Sequence, residues 1–175
     1  MRVLVGMETS GAIRQRMREA GHDCWSVDVL PSVDGSPYHI IGDVFDHLGD
    51  GWDMGIFHPS CTYLTISAAW AFTDGPYHQR VKPETLVGKA RRAARERALG
   101  DVRRLMDAPI ARIAIENPVG AISSAIRKPD QTIQPYQFGE DASKRTCLWL
   151  KNLPRLAQTA HVAPRIVNGK PRWAN

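Results

Sequence analysis

Hydrophobic and polar positions alternate between two periods along this chain. Short apolar runs rich in branched residues recur at Arg2–Gly6, Cys24–Val29, Tyr38–Gly42, Asp53–Phe57 and Ile110–Ile115. Most of them stop at a charged or turn-forming residue, as strands do. Between them lie segments of helical spacing. Ala12–Ala20 sets Ile13 and Met17 four apart, with Ser10 as a candidate cap and Gly21 as a helix stop. Glu84–Met106 is rich in Ala, Arg and Leu, and Pro83 suits its first turn. Val44–Leu48 reads as one helical turn and Ala121–Ile126 as a short helix. Thr132–Phe138 and Thr146–Leu150 suit two last strands, with antiparallel pairing open to them. Ala68–Pro83 breaks the pattern with Gly75, Pro76 and Pro83, as an irregular or mobile loop would.

Strands alternating with helices in this order predict an α/β fold, a doubly wound and mostly parallel sheet with helices on both faces. The first unit is strand, small-residue turn, helix, strand, the βαβ opening of a parallel sheet. With 175 residues, 43% of them hydrophobic, the chain has material for one domain with a real core. That domain is expected over 1–155, followed by an irregular tail over 156–175. No repeats interrupt it, and no apolar run reaches the length of a membrane span.

Charge and cysteine usage narrow the setting. The formal charge is +5 and the isoelectric point about 9.4, a lean toward polyanions that nucleic acid would satisfy. The basic residues cluster on the 84–106 helix and over the last third of the chain. On the helix they fit a solvated face, with Leu86, Ala90, Ala94 and Leu105 turned inward, at least as well as a nucleic-acid surface. The three cysteines are odd in number and widely spaced, which points to reduced thiols in a cytoplasmic protein.

In a doubly wound sheet the chemistry gathers beyond the carboxyl ends of the strands, and polar residues stand at each predicted end. The first turn, Gly6-Met7-Glu8-Thr9-Ser10-Gly11, could receive a cofactor's polar tail on backbone N–H groups, although it lacks the G-x-G-x-x-G pattern. Asp28 could hold ribose hydroxyls and Asp43 an adenine amino group; each could equally cap the turn that follows it. Cys61, in His58-Pro59-Ser60-Cys61, is placed as a cleft-facing nucleophile or as a core thiol. Cys24 and Cys147, beside tryptophans or leucine, read as core thiols. Glu116, in Glu116-Asn117-Pro118, could donate a proton or pair with Arg112 or Arg145. Ligation of a metal by His58 and Cys61 with His39 or His47 lacks the spacing of zinc sites, so no metal is expected.

In this order the motifs resemble the DNA cytosine C5-methyltransferases, in particular their small phage-type members, from Met1 to about Leu150. Pro59-Ser60-Cys61 is similar to the family's Pro-Pro-Cys motif and Glu116-Asn117-Pro118 to its Glu-Asn-Val motif. Ser143-Lys144-Arg145-Thr146 is a looser match to the arginine motif that contacts the flipped base. The resemblance implies a class I methyltransferase-like Rossmann fold that binds S-adenosylmethionine through Gly6, Glu8, Ser10, Gly11, Asp28, Asp43 and His58. It implies catalysis by Cys61 and Glu116, and substrate contacts from Pro59, Thr62, Asn117, Pro118, Lys144 and Arg145. The implied substrate is DNA, duplex or single-stranded, in the cytoplasm of a bacterial or phage-infected cell. The family's F-x-G-x-G turn is replaced, and no segment after Leu150 matches a target-recognition domain. Two other readings compete. One is a methyltransferase acting on an exocyclic amine or free nucleotide, and the other a degenerate relative that binds nucleic acid or a host protein.

Overall fold

The computed structural model describes residues 1–174. Five segments form the parallel part of one sheet: β1 (Arg2–Gly6), β2 (Asp23–Asp28), β3 (His39–Ile41), β4 (Met54–Phe57) and β5 (Arg112–Pro118). Two more, β6 (Gln131–Ile133) and β7 (Thr146–Lys151), complete it. The order is β3-β2-β1-β4-β5-β7-β6, with β7 antiparallel to both neighbours. The doubly wound, mostly parallel sheet read from the sequence is the observed one. Strand order reverses between β1 and β4, which opens a crevice at their carboxyl ends.

The period-2 alternation of β1 explains how helices cover both faces. Val3 and Val5, with Cys24, pack beneath Ile13 and Met17 of α1 (Ala12–Glu19). Leu4 faces the other way, into the larger core with Phe57, Ile113, Ile115 and Trp149. That core is closed by Leu99, Val102 and Leu105 of α2 (Gly88–Met106) and by Ile122 of α3 (Ile122–Ala125). Beside α1, an apolar groove of about 320 Å³ remains over β4, β5 and β7, lined in part by Met54, Ile56, Ala114 and Leu150.

Local chemistry moves several boundaries. The cap position of α1 is Gly11 and not Ser10; the Ser10 hydroxyl donates to the Glu8 carboxylate and accepts from the N–H of Ala12, the first residue of the helix. The helix ends as expected, with His22 N–H bonded to Met17 O and Gly21 N–H to Arg18 O, the paired closure of a Schellman motif. Helix α2 starts four residues after the predicted Glu84, because Lys82–Thr85 closes its own turn and Gly88 has φ +54°. Its inward stripe includes Arg91, while Ala90, expected inside, is exposed. Ala69–Phe72 is a 3-10 turn within the segment expected to be irregular. Strand β6 stops at Ile133, where Pro135 begins another 3-10 turn. The expected loose tail contains a hairpin of β8 (Arg165–Val167) and β9 (Lys170–Arg172).

The loop joining β2 to β3 is held from below. Arg14, buried on α1, donates to the Ser26 hydroxyl and to the Asp34 carboxylate. The Arg14 hydrogen bond holds the Asp34 carboxyl below the usual carboxylate range. A lowered pKa stabilises the fold above the ordinary carboxylate range, and that contribution is lost as pH falls through the folded value. Melting profiles between pH 6 and pH 2 should therefore show a loss of stability in the wild type that is smaller in Asp34→Asn.

Candidate active site

The reversal of strand order gathers the polar strand ends into one place. A cleft of about 330 Å³ is lined by Met7 after β1, Asp28 and Val29 at the end of β2, Gly42 and Asp43 after β3, and His58 and Ser60 after β4. Of the residues assigned to the cofactor, Asp28, Asp43 and His58 are thus brought together. Both acids also serve local structure: Asp28 accepts from Leu30 N–H and Asp43 caps the next turn through Phe45 N–H. Gly6 does not line the cleft. A Cβ there would lie 2.6 Å from Val44 and 2.7 Å from Phe57, so packing demands its glycine.

The turn after β1 is filled by its own carboxylate. Glu8 Oε1 accepts from Gly11 N–H at 2.8 Å and from the Ser10 hydroxyl, so Gly11 and Ser10 are engaged with Glu8. Glu8 Oε2 is buried without a hydrogen-bond partner among the described residues, as is His58 Nε2. An orphaned buried carboxylate oxygen fits a cationic donor there, such as the ammonium of an amino-acid moiety. Asp28 and Asp43 line the cleft itself, and with Glu8 on the adjoining turn the residues present fit S-adenosylmethionine, a ligand with hydroxyl and amine donors and a cationic centre.

Cys61 lies in the loop after β4 and Glu116 on the neighbouring strand β5. Glu116 does not follow β5, as the apolar run suggested, but lies inside it. Ile115 is the last residue paired with β4, whereas Glu116, Asn117 and Pro118 pair on with Leu148, Cys147 and Thr146 of β7. The antiparallel neighbour prolongs the strand and makes the motif rigid. Glu116 pairs with neither Arg112 nor Arg145; its Oε2 lies 3.4 Å from His58 Nδ1.

Asn117 corrects a second expectation. Its side chain is 1% exposed and donates from Nδ2 to the Pro59 carbonyl at 2.6 Å, so it ties the two motifs together and does not face a substrate. Pro59 is likewise buried, whereas Ser60, Cys61 and Thr62 are exposed. The loop that follows is fastened twice more. Ala121 N–H donates to Leu64 O at 2.7 Å where residue 120 presses against Leu64, and an added Cβ on Gly120 would lie 1.9 Å from that oxygen. From α2, Arg91 donates to Thr62 O at 2.9 Å and Arg95 to Tyr63 O at 3.0 Å, with both guanidinium groups over the Phe72 ring. Burial and the neighbouring Arg91 lower the Arg95 pKa.

These arginines were read from the sequence as part of a basic face, and their role as a clamp was missed. The available signal was Arg91 itself, three residues before Ala94 on the inward stripe. Lys144 and Arg145 are exposed just ahead of β7. Pro118 ends β5 opposite Thr146. His39 is engaged with Ser26 and Leu30, and His47 with Asp50, so neither is committed to His58 or Cys61.

Among solved structures the chain is similar to the Dnmt2 methyltransferase of S. pombe, with a TM-score of 0.51 and 15% identity. The likeness covers 89% of this chain and 52% of that one, so the chain spans about half the length of its structural neighbour. No protein-family model and no curated protein matches it. A likeness at this identity shows the fold, and the sheet order with its antiparallel β7 is that of a class I Rossmann-like methyltransferase fold.

Two outcomes follow for this site. Cys24 and Cys147 are buried, and burial pushes the Cys24 thiol up to about 11, whereas Cys61 is exposed. A disulfide reagent at pH 8 should therefore titrate one thiol in the native protein and three in denaturant, with Cys61→Ser abolishing the native reaction. Asn117→Ala strands the buried Pro59 carbonyl and should lower stability by about 1–3 kcal/mol in urea titration.

Proposed function

We propose that this protein is an S-adenosylmethionine-dependent methyltransferase acting on C5 of cytosine in DNA. The observation that carries the reading is the tie between the two motifs. Asn117 holds Pro59 and His58 adjoins Glu116, so an exposed thiol and a carboxylate stand at one strand edge beside the cleft.

The Cys61 thiolate adds to C6 of the ring while the Glu116 carboxyl hydrogen-bonds N3 and gives it a proton, offsetting the charge that develops there. His58 supports Glu116 from the side and fixes its orientation. Glu8, Asp28 and Asp43 would hold the cofactor, Asp28 through its ribose hydroxyls and Asp43 through its adenine amino group. S-Adenosylmethionine, when bound, supplies an electrophilic methyl group to C5. Loss of the C5 proton to solvent re-forms the C5–C6 double bond and breaks the C6–S bond, releasing the Cys61 thiolate, while N3 returns its proton to Glu116 and the aromatic ring is restored. In duplex DNA the base leaves the stack, at a cost of a few kcal/mol that contacts to phosphate offset. Lys144 and Arg145, both exposed, supply such contacts or bind the base carbonyl.

With 5-fluorocytosine at C5 there is no proton to remove, and the enzyme stays attached. Incubation with such DNA and S-adenosylmethionine should yield a complex that survives denaturation and is missing in Cys61→Ser. Glu116→Gln should form it at least about a hundredfold more slowly, the scale of one general acid. Absence of the complex while calorimetry shows cofactor binding would overturn the thiol mechanism.

A further inference from the structure

Seven of the 23 Lys and Arg residues come after Asp141, and none of the 18 Asp and Glu residues do. The chain up to Asp141 is therefore net acidic, and the whole +5 surplus resides in the segment that begins at Lys144.

The β8–β9 hairpin displays part of that surplus. It pairs with no strand of the main sheet, and all six of its strand residues are exposed. Asn168 and Gly169, with φ +50° and +71°, form the two-residue turn whose twist matches the strands. The register sets Arg165 directly opposite Arg172, on the face that also carries Lys170. Like charges opposed across a pair weaken a hairpin, and an isolated two-stranded ribbon is marginal to begin with. Asp141, 3.5 Å from Arg165, supplies one anion; among the described residues Lys170 and Arg172 have none.

The base of the ribbon is nevertheless built. Trp173 stacks on Tyr136 at 4.3 Å and donates its indole N–H to Val162 O, while Val162 N–H bonds Tyr136 O and Ala174 N–H bonds Asp141 O. Tyr136 lies just past β6, whose Ile133 pairs with Thr146, itself opposite Pro118. The ribbon is thus anchored at the carboxyl edge of the sheet that carries Glu116, Lys144 and Arg145.

We propose that the Arg165, Lys170 and Arg172 face of this ribbon, with Lys144 and Arg145, docks on duplex DNA. This rests on the reading of DNA as substrate and adds the surface that engages it. A two-stranded ribbon fits the major groove of a duplex, and phosphates relieve the opposed arginines. Single strands are gripped by stacking on aromatic platforms, and the ribbon strands offer only Ile166, Val167 and Pro171 beside their cations.

The test is fluorescence anisotropy of a labelled duplex, and of one of its strands alone, across a series of salt concentrations. Wild type should bind the duplex more tightly than the strand. The variant R165A/K170A/R172A should bind the duplex more weakly, with the slope of log affinity against log salt reduced by about 2–3, near one per lost phosphate contact. R165K/R172K keeps the charge and should retain the slope. Preference for the single strand, an unchanged slope in the alanine variant, or loss of the slope in the lysine variant would each overturn the proposal. Trapping on 5-fluorocytosine DNA separates the two readings. Duplex binding that depends on the ribbon without an adduct sinks the chemistry and spares the surface, whereas an adduct and affinity indifferent to the ribbon do the reverse.

Discussion

One hydrogen bond holds this site together, from the amide of Asn117 to the carbonyl of Pro59. It crosses from β5 to the turn after β4, and both partners are buried. Without it the thiol loop would depend on fastenings farther along the chain, at Leu64 and from α2. With it, the rigidity of a central sheet reaches the exposed Cys61. A buried side-chain amide is costly unless bonded, and this one accepts that constraint to fix the spacing of two motifs. The Oδ1 of the same amide is buried without a partner among the described residues.

The neighbours of Asn117 explain why the site needs an antiparallel strand. Three residues of β5 extend past the last residue it pairs with β4, and only β7 satisfies them. Trp149 and Cys147 of β7 are buried in the same core as Ile115, so the strand that stiffens Glu116 also closes the hydrophobic interior. Site geometry and core packing therefore share residues. The thiol loop draws on α2 as well, whose Arg91 and Arg95 reach the carbonyls of Thr62 and Tyr63.

The sheet, its parallel start and both main helices were legible because period-2 and helical spacing survive in single residues such as Val3, Leu4, Val5 and Ile13, Met17. The cysteine and glutamate motifs stood out in the sequence because the apolar runs before them, ending at Phe57 and Ile115, stop abruptly. What was hidden depended on partners distant in the chain. That Glu116 lies within a strand is decided by Leu148, and that Asn117 turns inward is decided by Pro59. Arg91 reads as surface charge until Thr62 and Phe72 are beside it. The hairpin at 165–172 carried a visible Asn-Gly turn, but three-residue strands with alternating cations leave too little hydrophobic signal to be read as strands.

The account turns on bond formation at C6 and proton loss from C5 of one pyrimidine. Tritium release measures that directly, using DNA with tritium at C5 of cytosine and unlabelled S-adenosylmethionine. Wild type should release tritium to water in step with methyl transfer, and Cys61→Ser should release none. Methyl transfer with the tritium retained would place the methyl group elsewhere on the base and contradict the account.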